Sequence, residues 1–219
     1  MVTLQLRQIR VPPGQRIILE NVSWQVFEAI LNELGEHRGS RVAYSQGTLE
    51  IMAPLPEHER SKVIIGDLVK ALLDELDLNW ESLGSTTFKR KEINAGIEPD
   101  DCFYIQNYKL MIGKDRIDLT VDPPPDLAIE IDVTSKTQIS AYEALRVPEI
   151  WRYESTKLEI SLLQGEQYVK SLISPTFPTF SITELIPQFV QMARTTGMSS
   201  ALRAFRQSVR EQIQDSQGE

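Results

Sequence analysis

The residues best placed to do chemistry are acidic and lie on two strand-like runs. In Asp126-Leu127-Ala128-Ile129-Glu130-Ile131-Asp132-Val133, apolar and acidic residues alternate. The two-residue repeat of a strand sends Leu127, Ile129, Ile131 and Val133 to one face and Asp126, Ala128, Glu130 and Asp132 to the other. Glu130 and Asp132 are then same-face neighbours about 7 Å apart at Cα, where two carboxylates repel unless water or a cation separates them. The run Glu98-Pro99-Asp100-Asp101-Cys102-Phe103-Tyr104 has the same character. Pro99 sets the strand entry, and Asp100 shares a face with Cys102 and Tyr104. If the two strands are neighbours in one sheet, roughly three to four carboxylate oxygens converge, and hard oxygen ligands suit Mg²⁺ or Mn²⁺. On an edge strand the same acids would simply be solvated.

Other polar residues admit two readings each. His58, between Glu57 and Glu59, is a surface or capping histidine or else a ligand. Glu50 either completes a metal shell from the side or is an outward strand position. Cys102 reads as a small packing residue beside the acids.

The elements that must position these residues follow from periodicity. Residues 3–11 and 16–20 read as two short strands around Pro12-Pro13-Gly14. Ser23 looks like an N-cap, and Trp24, Phe27, Leu31 and Leu34 form one helical face that ends near Gly35. Arg41 to Ser45 and Thr48 to Met52 flank Gln46-Gly47, a spacing that suits a two-residue hairpin loop. From Glu57 to Leu78, Ile64, Leu68, Leu72 and Leu76 sit four apart, which predicts a long helix packed on a sheet. Strands are expected near 80–90, 98–105 and 126–133, the last entered through Pro123-Pro124-Pro125 after a polar stretch to about 122. A helix near 137–146 leads to a meander of strands at 149–154, 158–163 and 166–172. Ser181 to Glu184 fits a capping box, with Pro187 expected to break or restart that helix within a turn. A last helix at about 199–214 carries Leu202, Phe205 and Val209 before a polar tail. The expected architecture is α/β: a mixed central sheet flanked by helices, with N-terminal strands and C-terminal helices. It forms a single domain over 1–219.

The composition of 219 residues, 41% apolar and 25% charged, is that of a globular domain. No window reaches the length of apolar sequence that a membrane span requires, and the N-terminus reads as strand rather than leader, so a cytoplasmic location is expected. Cys102 is the single cysteine, which excludes an intrachain disulfide and a cysteine-based zinc site. A net charge of −8 opposes broad phosphate-backbone binding. Nucleic-acid contact must then be local, with the stretch holding Lys89, Arg90, Lys91, Lys109, Lys114 and Arg116 as its candidate, although charge runs are more often solvated surface.

Gly47-Thr48-Leu49-Glu50-Ile51-Met52-Ala53-Pro54 with His58, Glu98-Pro99-Asp100, Pro125-Asp126-Leu127-Ala128-Ile129-Glu130-Ile131 and Val147-Pro148-Glu149-Ile150-Trp151 occur in this order. In these motifs, over residues 20–185, the chain resembles the Uma family of predicted endonucleases, within the PD-(D/E)XK restriction-endonuclease-like superfamily. The resemblance implies a mixed sheet with its signature acids on two adjacent strands, Asp100 being the aspartate and Glu130 the acidic position. It implies Mg²⁺ or Mn²⁺ held by Asp100, Glu130, Glu50 and Ile131, with His58 as a further candidate. The implied activity is metal-dependent hydrolysis of DNA phosphodiesters, and the related restriction enzymes often act as homodimers. Chemistry of this kind uses a cation near the attacking water. Where the superfamily often has lysine, two residues after Glu130, this chain has Asp132, an auxiliary acid. Where family members have a lysine four residues before a tyrosine such as Tyr142, it has Gln138. Lys136 and Lys62 are the candidate replacements. The rival readings are a catalytically impaired relative that binds nucleic acid or protein, and a hydrolase of another phosphodiester.

Overall fold

The computed structural model describes residues 8–35, 39–132 and 135–217. Two sheets carry the fold. β1 (Arg16–Leu19), β2 (Arg41–Ser45), β3 (Thr48–Met52), β5 (Phe88–Arg90) and β6 (Ala95–Ile97) form an antiparallel sheet in the order β1-β3-β2-β6-β5. Gln46 and Gly47 both have positive φ, 48° and 87°, as a two-residue turn matched to strand twist requires. The second sheet runs β11-β10-β9-β8-β7-β4, with β4 (Glu81–Ser82), β7 (Asp101–Tyr104), β8 (Leu127–Ile131), β9 (Glu149–Glu154), β10 (Lys157–Gln164) and β11 (Gln167–Ser171). Only β8 and β9 pair in parallel among its described strands. Their crossover is the helix α4 (Lys136–Leu145), as parallel neighbours demand.

Each helix buries the stripe its sequence offers. α1 (Trp24–Leu34) starts at Ser23, whose side chain accepts from Val26 N–H, and buries Trp24, Phe27 and Leu31 with Tyr44, Leu49 and Ile51. α2 (Pro56–Glu75) opens with proline and has Glu57 and Glu59 in its first turn, where the helix dipole favours anions. Its Ile64, Ile65, Leu68 and Leu72 join Leu127, Ile129 and Ile131 of β8 in one core. α5 (Ile182–Thr196) and α6 (Met198–Gln217) complete that core through Ile186, Phe189, Val190, Phe205 and Val209. α4 covers the other face of the sheet, where Ala141, Tyr142 and Leu145 meet Cys102, Tyr104, Ala128 and Ile150.

Several local expectations change. Residues 8–11 form no strand, residues 3–7 lie outside the described residues, and so does Val133. The strand expected over 80–90 is two short ones in different sheets, because the chain turns away at Gly84, whose φ is 57°. A short helix, α3 (Tyr108–Met111), stands in the polar stretch. Pro187 does not break α5, which continues to Thr196. It costs one backbone hydrogen bond near the helix start, while the buried Leu185, Ile186, Phe189 and Val190 hold both sides of it to the core.

Candidate metal centre

Asp100 stands one residue before β7, and β7 pairs with β8 so that Asp101 lies opposite Ile129 and Cys102 opposite Ala128. Continuing that antiparallel register by one place sets Asp100 opposite Glu130. Alternation turns Glu130 with Ala128 toward α4, and Tyr142 of α4 donates its hydroxyl to Glu130 Oε1. Asp100 Oδ2 accepts from the Ile131 N–H at 2.8 Å. One oxygen of each acid is thereby held, and both residues are buried, 4% and 3% exposed.

Two carboxyls this deep resist ionisation. Burial pushes Asp100 above the usual carboxylate range, partly offset by the Ile131 N–H and by the charges of Arg41 and Lys62. Glu130 is pushed well above that range, first by burial and then by Asp100 beside it. Tyr142 is raised too, chiefly by burial, so its hydroxyl stays a donor. A pair of adjacent buried oxygen donors has the chemistry of a site for a small hard cation.

The other acids of the two runs are committed elsewhere. Asp101 Oδ1 accepts from Cys102 N–H at 2.9 Å and from Ser82 Oγ at 3.2 Å. Asp126 clamps a loop, accepting from the N–H groups of Ile105, Gln106 and Asn107 and from Asn107 Nδ2. Outside the two runs, Glu149 on β9 accepts from the Trp151 indole at 2.6 Å and from Thr176 at 2.7 Å. Asp132 is not a same-face neighbour of Glu130, because β8 ends at Ile131 and Asp132 turns away at φ 70°. It meets His58 Nε2 from the first turn of α2. Burial raises Asp132 and His58 lowers it.

The remaining expected residues do not join the pair. Glu50 lies on β3 with Arg16 3.9 Å away, and shares a small cavity with Arg41 and Gln138. Among the described residues no three His, Cys, Asp or Glu side chains are disposed to hold a metal together. Lys136 is exposed at the start of α4. Lys62 Nζ is 3.7 Å from Glu59. Gln138 does not reach over Glu130: its Oε1 accepts from Ser135 N–H at 2.7 Å while its own N–H donates to Ser135 Oγ at 3.1 Å, a capping box. Half of the basic stretch is ion-paired, Lys89 with Glu28, Arg90 with Glu92 and Lys114 with Asp122. Sequence reasoning missed Arg41, whose Nε is 3.8 Å from Asp100 Oδ1. A lone arginine at a strand start carries no signal of that proximity.

The elements and the acid pair define a mixed α/β protein with carboxylates facing one another across neighbouring strands. Residues 24–196 match the Uma2 family model, described as "Putative restriction endonuclease", and the chain belongs to that family. It is similar to a solved structure titled a "putative nuclease belonging to DUF820" from Anabaena variabilis, at 15% identity over 63% of this chain and 83% of that one, with a TM-score of 0.42. No curated protein matches. Among the described residues no helix is long and apolar enough to cross a membrane.

Proposed function

We propose that the chain is a metal-dependent endonuclease-like enzyme that hydrolyses DNA phosphodiester bonds. The observation that carries this reading is the buried, facing pair Asp100 and Glu130. Burying two neighbouring carboxylates in ionised form is costly, and a divalent cation held by both would offset their charges. Mg²⁺ is commonly held by one or two carboxylates, with water and substrate phosphate completing its shell, so two acids suffice. When bound, the ion polarises the scissile phosphate and lowers the pKa of a coordinated water. The chain's own part is positional. Tyr142 and the Ile131 N–H each hold one oxygen of an acid, which fixes the pair that would hold the ion, and both acids are buried.

The test is nicking of supercoiled plasmid in Mn²⁺ against chelator. Asp100→Asn and Glu130→Gln each remove an anionic ligand and keep the shape, so each is expected to lose more than about a hundredfold. His58→Ala, whose partner is Asp132, changes the rate far less. Mn²⁺ also raises the melting temperature of wild type, and less so that of either variant, because an ion bound to the folded state alone stabilises it. Equal thermal shifts in all three remove the metal site. A second reading, a catalytically impaired relative that binds nucleic acid or a protein partner, draws on Gln138, whose side chain is committed to the cap and brings no charge. Metal binding without cleavage of single- or double-stranded DNA supports it.

A further inference from the structure

The acid pair has a cation. Arg41 opens β2 with its side chain 15% exposed, and its Nη2 donates to Glu59 Oε1 at 3.2 Å. Its Nε lies 3.8 Å from Asp100 Oδ1, beyond hydrogen-bond reach, and is buried without a hydrogen-bond partner. Such an orphaned donor on a charged group is costly, and an anionic oxygen brought within hydrogen-bond reach would satisfy it. Arg41 also lines a polar cleft of about 690 Å³ in which Lys89 and Arg116 stand with the acids Glu98 and Asp115. Arg41 therefore stands between this cleft and the carboxylates. Its charge acts on both acids, and on Asp100 more strongly than that of Lys62.

We infer that Arg41 is the phosphate-contacting cation of this site: with DNA backbone in the cleft, its guanidinium donates to a non-bridging oxygen of the phosphodiester held beside Asp100 and Glu130. The inference rests on the nuclease reading above and gives it a positive charge that Gln138 cannot supply and the exposed Lys136 does not place there. A guanidinium suits the task because its fixed fork of donors matches phosphate geometry.

The test reads binding apart from cleavage. Fluorescence anisotropy with a labelled duplex oligonucleotide in EDTA, repeated over a range of salt, is compared for wild type, Arg41→Gln and Arg41→Lys, with Mn²⁺ binding followed by calorimetry. Arg41→Gln is expected to weaken DNA binding about tenfold and to flatten the log–log salt dependence by roughly one phosphate contact. Arg41→Lys keeps most of the slope. Mn²⁺ affinity in Arg41→Gln is unchanged or tighter, because a competing charge has left the acids. An unchanged salt slope overturns the inference. So does wild type that shows no salt-dependent DNA binding, or a variant that loses DNA and Mn²⁺ affinity together with its melting temperature. Wild type that nicks plasmid while Arg41→Gln binds normally removes Arg41 and leaves the nuclease reading. A flattened slope in a protein that never nicks does the reverse.

Discussion

Gln138 and Glu130 show how one side chain's chemistry depends on which neighbour it reaches. Gln138 closes a reciprocal cap with Ser135, a task that needs an acceptor as well as a carbon chain of the right length. Lysine has no acceptor. Gln138→Lys is therefore expected to destabilise the protein by about 0.5–2 kcal/mol, read as a lower urea midpoint; an unchanged midpoint would mean that the cap contributes nothing. Glu130 makes a prediction of opposite origin. A carboxyl with its folded pKa raised above the unfolded value binds more protons in the folded state between the two values, so its contribution to stability falls as pH rises through that window. Burial and Asp100 raise Glu130, and the window opens at the ordinary glutamate value of about 4.3. Metal-free wild type should accordingly lose stability from about pH 4 toward neutrality relative to Glu130→Gln, and saturating Mn²⁺ should remove the difference. Parallel pH profiles for the two proteins, measured by denaturant melts in EDTA, would count against a strained carboxyl pair.

At the scale of elements, what was legible is what a local period can encode. α2 and the β2–β3 hairpin follow directly from apolar spacing and a Gln-Gly loop, because burial of one face is written every three to four residues or every second residue. The pairing of Asp100 with Glu130 was legible as two acidic strand starts, yet their opposition depends on the β7–β8 register, which no single segment states. β4 and β5, two and three residues long, are too short to show alternation. The approach of Arg41 is a contact between two sheets and leaves no local trace. Gly66 belongs to the same class. A Cβ there would stand 2.5 Å from Asp101 Oδ2, so any larger residue at that position requires the buried, hydrogen-bonded Asp101 carboxylate to shift. Gly66→Ala is expected to cost about 1–3 kcal/mol by overpacking despite its better helix propensity. In a double-mutant cycle with Asp101→Ala the losses should be less than additive, because the clash disappears with the carboxylate. Additive losses would place the strain elsewhere.

For the whole molecule, the question is what fastens α6, which lies beyond the residues matched by the family model, to the α2 layer behind the acid pair. Apolar contact is one part: Ala201, Phe205 and Val209 are buried, and the Phe205 ring meets Phe189 edge-on with centroids 5.1 Å apart. The polar margin is Glu75 at the end of α2, which accepts from Arg206 Nη1 at 3.0 Å and from Arg210 Nε at 2.6 Å. The Arg210 hydrogen bond, opposed by burial and assisted by Arg206, holds the Glu75 carboxyl below its usual range. A depressed folded pKa contributes stability that is present above the unfolded value and is lost as pH falls through the folded one. The advantage of wild type over Glu75→Gln should thus be full at neutral pH, decline below about 4.3 and vanish under the folded value. It should be modest and shrink in 1 M salt, since both arginines reach solvent and exposed pairs are screened. Urea midpoints of the two proteins at pH 7 and pH 3, with and without salt, decide the matter: a gap that ignores both pH and salt would show that Glu75 acts through packing rather than charge, and that α6 is held by its apolar stripe alone.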